Sequence, residues 1–358
     1  MCADMSPHTS VIGRVQQRGL SMIELMVGIV ISMLIGLAAT TSAVMFTASQ
    51  RQGFGAGGSS INAATVLGAI KSDAALAGLG FFTESLPMCA TLNLSNNAIV
   101  ASDGAAFAPL QATRDGDHDV LNVLYAAMVE AGTNVLTAKS SDTTSAELRS
   151  LLPVVAGDAV LLAPEDPGGR CTVRSVTAVA DATPTTSQIL TFGAAGASST
   201  HNQAAFASAT TYPSRSRVAR LGALRWNRYR VSGGNLVLER PIDGTSAVLV
   251  RDVIAFRVQY GISAAANTTT LDNWVDASGA YASITAANID FVRAARIAVL
   301  VRSPQREKPN SAGVCTATDV APAVFGTTPT AFTGPSTDWR CFRHRTSTVV
   351  VPLRNFVI

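Results

Sequence analysis

From Leu20 to Ala48 the chain is almost continuously apolar, LSMIELMVGIVISMLIGLAATTSAVMFTA, and from Leu25 to Ala48 it carries no charged side chain. As a helix rising about 1.5 Å per residue, such a run crosses a hydrocarbon layer of roughly 30 Å. A secretory signal would have a shorter apolar core and a small-residue cleavage site after it, and neither feature is present. Residues 59–78 resume a helical spacing, with Ile61, Val66, Leu67, Ile70 and Leu76 predicted on one broad face. Ser59 or Ser60 is the predicted cap and Gly78 or Gly80 the stop. Between the two stretches lies Gly53-Phe54-Gly55-Ala56-Gly57-Gly58. Each glycine there costs up to about 1 kcal/mol of helix propensity, so a break or bend is predicted. The stretch also matches G-x-G-x-x-G, but it follows an apolar helix rather than a strand, and nucleotide binding is not expected.

Beyond residue 81 the apolar runs become short and alternate. They predict strands at Val120–Tyr125, Ala159–Leu162, Thr172–Val179, Gln188–Phe192, Arg220–Val231, Asn235–Arg240, Val248–Tyr260, Arg293–Val301 and Thr346–Val351. Gly233-Gly234 reads as a hairpin turn, and Pro352 as the end of the last strand or the mark of an edge. Residues 194–213 and 303–336, rich in Ala, Ser, Thr, Gly and Pro, read as surface loops. The pattern is that of an α+β protein.

Charge sharpens the reading of the apolar run. Arg14 and Arg18 precede it and only Arg51 follows closely, which places the amino terminus in the cytoplasm and the remainder outside. Glu24 is anomalous. It stands among Leu20, Met22, Ile23, Leu25 and Met26, where a carboxylate costs several kcal/mol unless it is neutralised or paired. As an interfacial residue it would snorkel to water; otherwise a cation must reach it inside the membrane.

The stretch Gly19-Leu20-Ser21-Met22-Ile23-Glu24-Leu25-Met26-Val27 resembles the prepilin processing motif of type IV pilin-like proteins, with Leu20 and Ser21 as mild departures from Phe and Thr. The resemblance implies a leader of residues 1–19, cut between Gly19 and Leu20 by a prepilin peptidase that then methylates the new amine. It also implies that Glu24 pairs with the amine of a neighbouring subunit. The expected organisation is a transmembrane and filament-core helix at 20–52, an outer helical half at 53–80 after the glycine-rich break, and a β-rich periplasmic domain at 81–358. In that fold the long helix packs on an antiparallel sheet.

Downstream, Ala77–Phe81, Gly169-Arg170-Cys171, the hairpin Arg220–Arg240, Asp252–Gly261, Val292–Ser303 and Arg345–Asn355 resemble PilW-type minor pilins. That likeness implies a subunit held in the inner membrane that helps prime a type IV pilus. Its partners would be other minor pilins, the major pilin, the assembly platform and a tip adhesin. J-type pseudopilins of type II secretion share the layout and are the alternative, together with a DNA-binding uptake pilin.

Composition agrees with an exported, non-catalytic subunit. The net charge of +3 is too small to call for a nucleic-acid partner. If Cys2 leaves with a leader, Cys89, Cys171, Cys315 and Cys341 remain, an even number suited to two disulfides in one of three connectivities. The pair nearest in sequence, Cys315–Cys341, is preferred, leaving Cys89–Cys171. No CxxC spacing suggests a metal, and no metal or other cofactor is expected. Asp115, Asp117 and Asp119 with His118 read as a polar turn rather than a calcium loop, which would need further ligands. Arg215, Arg217, Arg220, Arg225, Arg228 and Arg230, near Trp226 and Tyr229, read as a polar strand face rather than a base-stacking site, because neighbouring strand residues point to opposite faces. The basic group Arg340, Arg343, His344 and Arg345 is read the same way. His118, His201 and His344 fall in no hydrolase or nucleotide motif, so no enzymatic activity is expected.

Overall fold

A computed structural model describes residues 22–356, apart from 82–87, 98, 128–133, 138–140, 142–143, 167, 182–186, 194–198, 203–205, 208–210, 267 and 286, and apart from the side chains of 44–61. The chain divides into two compact units, Met1–Phe54 and Gly55–Ile358. The α-helix α1 runs from Met22 to Leu76 and contributes residues to both. It is helical through Gly53–Gly58, where a break is predicted from the sequence. Glycine weakens a helix entropically but keeps its N–H donor, so the hydrogen-bond ladder survives where proline would cut it.

In the second unit the strands are β1 (Cys89–Asn96), β2 (Ile99–Ala106), β3 (Leu110–Asp115), β4 (His118–Ala126), β5 (Asn134–Leu136) and β6 (Ser145–Leu148). They continue with β7 (Ala159–Ala163), β8 (Gly169–Ser175), β9 (Ala178–Asp181), β10 (Gln188–Thr191), β11 (Arg217–Gly222) and β12 (Leu224–Ser232). The last are β13 (Asn235–Arg240), β14 (Thr245–Val250), β15 (Val253–Ile262), β16 (Asn273–Asp276), β17 (Val292–Arg302) and β18 (His344–Pro352). The main sheet has the order β14-β13-β12-β4-β15-β17-β18, with β16 beside β15 and β3 beside β4. A second sheet runs β2-β1-β8-β7-β11-β5 and a small third β6-β10-β9. Pairing is antiparallel except for β1 with β8 and a single residue pair between β4 and β15.

Three predicted strands each prove to be a pair. Thr172–Val179 divides at Val176-Thr177, so β8 joins the second sheet and β9 the small third one. Arg220–Val231 divides at Gly222 (φ 61°), so β11 joins the second sheet and β12 the main one. Val248–Tyr260 divides at Asp252, whose φ of 56° is unusual for a side chain with a Cβ. Asp252 is held there by its carbonyl, which accepts from the Arg302 N–H at 2.9 Å, and by its carboxylate, 3.2 Å from the Arg302 guanidinium. Gly233 and Gly234 make the expected hairpin turn, both with positive φ (57° and 74°).

The core explains why residues 55–76 are helical. Ala63, Leu67, Ile70, Ala74 and Ala77 recur at spacings of three and four and bury against the main sheet, where Leu121, Val123, Phe256, Val258, Ile297 and Val299 point toward them. The buried stripe is thus built largely of alanines, which let the helix approach the sheet closely. Leu76, predicted to be inward, is 40% exposed. Gly78 (φ 79°) turns the chain out of the helix, and its N–H donates to Leu124 O at 2.9 Å.

Where β4 and β15 diverge after their single pair, side chains replace the ladder. Asp119, 1% exposed, accepts from the Val258 N–H at 2.6 Å and lies 3.4 Å from Arg257 Nε. The Tyr260 hydroxyl accepts from the Ala112 N–H at 2.6 Å. The opposite face of β15 and β17 is covered by the excursion 303–341, which places Val324 and Phe332 against Ala255, Ala298 and Leu300. Disulfides join Cys89 to Cys171 and Cys315 to Cys341, the preferred pairing, so that one links β1 to β8 and the other closes the excursion.

His344, at the start of β18, rests edge-on against Phe332 at 4.9 Å and lies 3.2 Å from Thr318 Oγ1. Burial, with a smaller push from the Arg302 cation, lowers its pKa from 6.5 to about 4. A ring held neutral in the fold stabilises it fully above about 6.5, and this contribution is lost as pH falls through about 4. Acidification across that window is therefore expected to loosen the excursion, seen as a change in Trp339 fluorescence, since Trp339 packs on Phe332 at 5.4 Å. His344→Gln should flatten that response. An unchanged pH profile in the variant would assign the transition to another group.

Candidate functional site

Within the first unit, Met22–Ala43 is a 22-residue helical segment long and apolar enough to cross a membrane. Its polar atoms are mostly folded back onto the helix. Ser32 Oγ donates to Ile29 O at 2.9 Å, Thr40 Oγ1 to Leu37 O at 3.0 Å, and Thr41 Oγ1 to both Leu37 O and Ala38 O at 3.0 Å. Hydroxyls satisfied in this way impose little cost in a hydrocarbon environment.

Glu24 lies in the first turn of α1, where the positive end of the helix dipole favours a carboxylate. Met22, Ile23, Leu25 and Met26 around it are all more than half exposed. Glu24, Gly28, Ser32, Gly36 and Thr40 succeed one another at intervals of four and form a single ridge along the helix. A Cβ added at Gly28 or Gly36 would meet nothing within 4 Å. The surface is thus a shallow groove of small residues headed by one acid, a shape that lets a second helix approach closely. Gly19 and Leu20, the expected processing residues, lie outside the described residues.

In the second unit one side chain that sequence reasoning missed seats the helix. Asp73 accepts from Asn227 Nδ2 at 2.5 Å, from the Tyr125 hydroxyl at 3.1 Å and, in a very short contact, from the Tyr229 hydroxyl. Burial and then the Asp73 carboxylate raise both phenols, Tyr125 to about 12 and Tyr229 further, so each remains a donor. The signal was present in the sequence: an acid next to Ala74 on an otherwise small and apolar stripe demands a partner.

The arginine-rich stretch does not form an open cationic face. Arg215 pairs with Glu165 at 2.6 Å, Arg220 with Asp158 at 2.9 Å, Arg225 with Asp243 at 3.2 Å, and Arg228 and Arg230 share Glu239 at 3.8 and 2.6 Å. Arg228 also lies over Trp226, 5.5 Å from the ring centre, where a base would have to stack. Farther on, Arg343 pairs with Glu307 and Arg340 lies over Trp339 at 5.1 Å. The Asp115–Asp119 turn is the β3–β4 hairpin, and its acids go separate ways. Asp117 accepts from the Thr330 N–H at 2.8 Å, while Asp119 is committed to Val258 and Arg257. The histidines are likewise dispersed: His201 Nδ1 lies 2.7 Å from Ser95 O, His118 stands opposite Asp115 in the backbone register of the hairpin, and His344 packs on Phe332.

Residues 218–355 match the family described as type IV pilus-assembly protein W, and residues 14–40 match the prokaryotic N-terminal methylation motif. Among solved structures, a type IV-like pilin from Thermus thermophilus aligns over 83% of this chain and 98% of its own, at 10% identity and a TM-score of 0.32, a likeness too distant to fix the fold. Comparison with curated proteins gives no match.

Proposed function

We propose, from the premise that this is a type IV pilin-like chain of the PilW minor-pilin family, that it is held in the inner membrane with its strand-rich unit in the periplasm and helps prime assembly of a type IV pilus. The observation that carries this reading is the long apolar helix Met22–Ala43, headed by Glu24 on a ridge of small residues. In the membrane that surface meets lipid; in a filament it meets neighbouring helices.

Processing between Gly19 and Leu20 would leave an amine a few residues from Glu24 on each subunit. A helix laid along the groove, displaced by about one turn, brings its own amine to the Glu24 of its neighbour. The carboxylate would meet the neighbour's amine when the second subunit is in register. Charge pairing in a low-dielectric setting thereby couples assembly to alignment. The role is structural: partners would be other minor pilins, the major pilin, the assembly platform and a tip adhesin, with the prepilin peptidase acting on the chain beforehand.

Deleting the gene tests this. Loss of surface pili and twitching with protein secretion intact is the expected outcome. Lost secretion with normal pili would instead assign the chain to a secretion pseudopilus. The pairing of the arginine-rich strand with carboxylates leaves little open cationic surface there, which weighs against DNA uptake.

A further inference from the structure

The edge of the main sheet at β18 differs from the other long edges. Nine consecutive residue pairs join β17 to β18, from Ala294–Pro352 to Arg302–His344, without a register shift. The edge strand β2 has two shifts against β1, and β14 has one against β13. Such irregularities, with charge and proline, are how proteins keep sheet edges from pairing with other chains. From Thr346 to Val351 the sequence is TSTVVV, without charge, proline or glycine.

The ladder fixes which backbone groups face outward. At its two ends the Leu353 N–H donates to Arg293 O and the Ser303 N–H to Arg343 O, so the odd-numbered residues of β18 bond to β17. The N–H and C=O of Thr346, Thr348 and Val350 therefore point away from the sheet, and all three residues are exposed. Pro352 falls in the same outward register, where its missing N–H costs the ladder nothing. Arg345, exposed at the other end of the strand, has no carboxylate partner among the described residues, whereas the neighbouring Arg343 is paired with Glu307.

We infer that β18 is a docking edge for an extended strand of a different pilus subunit, which runs antiparallel to it and carries a carboxylate opposite Arg345. Outward N–H and C=O groups at every second residue are satisfied by an extended backbone rather than by a helix. A second copy of this chain fits less well, because β18 contains no acidic residue to meet Arg345. The inference rests on the proposed place in a pilus for the identity of the partner, but the edge itself does not depend on it.

A photo-crosslinking amino acid placed at Thr348 of the full-length chain, in its own host with the pilus proteins present, tests this. Val179, exposed in the small sheet, serves as the control position. The expected result is an adduct from position 348 that maps by mass spectrometry to an extended, acid-containing segment of another pilus subunit. Val350→Lys and Arg345→Glu should each lower its yield by about tenfold, while the unfolding transition stays near wild type. Thr348→Lys, with the crosslinker moved to Thr346, repeats the test should Val350→Lys fail to fold. An adduct to a second copy, to lipid or to an unrelated protein, no adduct at all, or a yield insensitive to the folded variants would overturn the inference. A pilus-null phenotype with no adduct would separate failure of this inference from failure of the proposed function.

Discussion

Asp73→Ala is expected to destabilise the strand-rich unit by about 3 kcal/mol, measured by chemical denaturation. Three donors converge on that carboxylate, and two belong to residues with almost no access to solvent: Tyr229 is 1% and Asn227 5% exposed. Removing the acceptor leaves a phenol and an amide buried without a partner, which costs more than the net value of the bonds themselves. Asn227 Oδ1 already lacks a protein partner, so the amide has little scope to turn and recover. Asp73→Asn should recover part of the loss, because it keeps one acceptor oxygen but brings an NH2 group among donors. Tyr229→Phe should cost less than Asp73→Ala, since it removes one donor and leaves the acid two. Stability within about 0.5 kcal/mol of wild type for Asp73→Ala would mean that the helix is seated by its alanine stripe alone.

Glu24→Ala is expected to leave the protein in the membrane and to lower its incorporation into filaments by about tenfold or more, since even 1.4 kcal/mol of lost pairing has that effect. Removing a charge from an apolar span makes insertion easier, so membrane partition and incorporation should move in opposite directions. Glu24→Gln separates charge from shape. It keeps the length and a hydrogen-bonding oxygen, but it gives a neighbouring ammonium group no counter-charge. If the amine of a second subunit is what Glu24 meets, Gln should fail nearly as badly as Ala. Normal pilus yield with either variant would remove Glu24 from the assembly mechanism.

The apolar run and its single acid were legible in the sequence because both are local. A span is a matter of length and composition, and a carboxylate within it stands out against its apolar neighbours. Strands that are apolar almost throughout, such as the buried central strand at Arg293–Val301, were visible for the same reason. What stayed hidden depends on partners distant in the chain. The strand Cys89–Asn96 buries Asn93 and Ser95 completely, so it lacks a regular apolar pattern. Asn93 is tolerated because its Oδ1 accepts from the Gly104 N–H at 2.8 Å, and Ser95 because its Oγ donates to His201 O at 3.0 Å. The three divided strands were hidden because the strand-like pattern continues across Val176-Thr177, Gly222 and Asp252 while the backbone leaves the strand. At Leu76 side-chain size points inward but spacing decides: Ala63, Ala74 and Ala77 hold the buried stripe, and Leu76 falls beside it. The expected disulfide pairing rested on nearness in sequence, whereas Cys89 and Cys171 meet because β1 and β8 lie side by side.

Asn355 Nδ2 donates to Ala77 O at 2.9 Å, bridging 278 positions, and Leu353 and Phe356 belong to the same core as Leu67 and Ile70. The cradle for the early helix is therefore unfinished until the ribosome has passed residue 355. Until then the lower part of that helix has nowhere to dock, and long-range closure of this kind is intrinsically slow. A product released prematurely, even a few dozen codons short, would present an unseated helix, a form open to proteolysis before it could join any assembly.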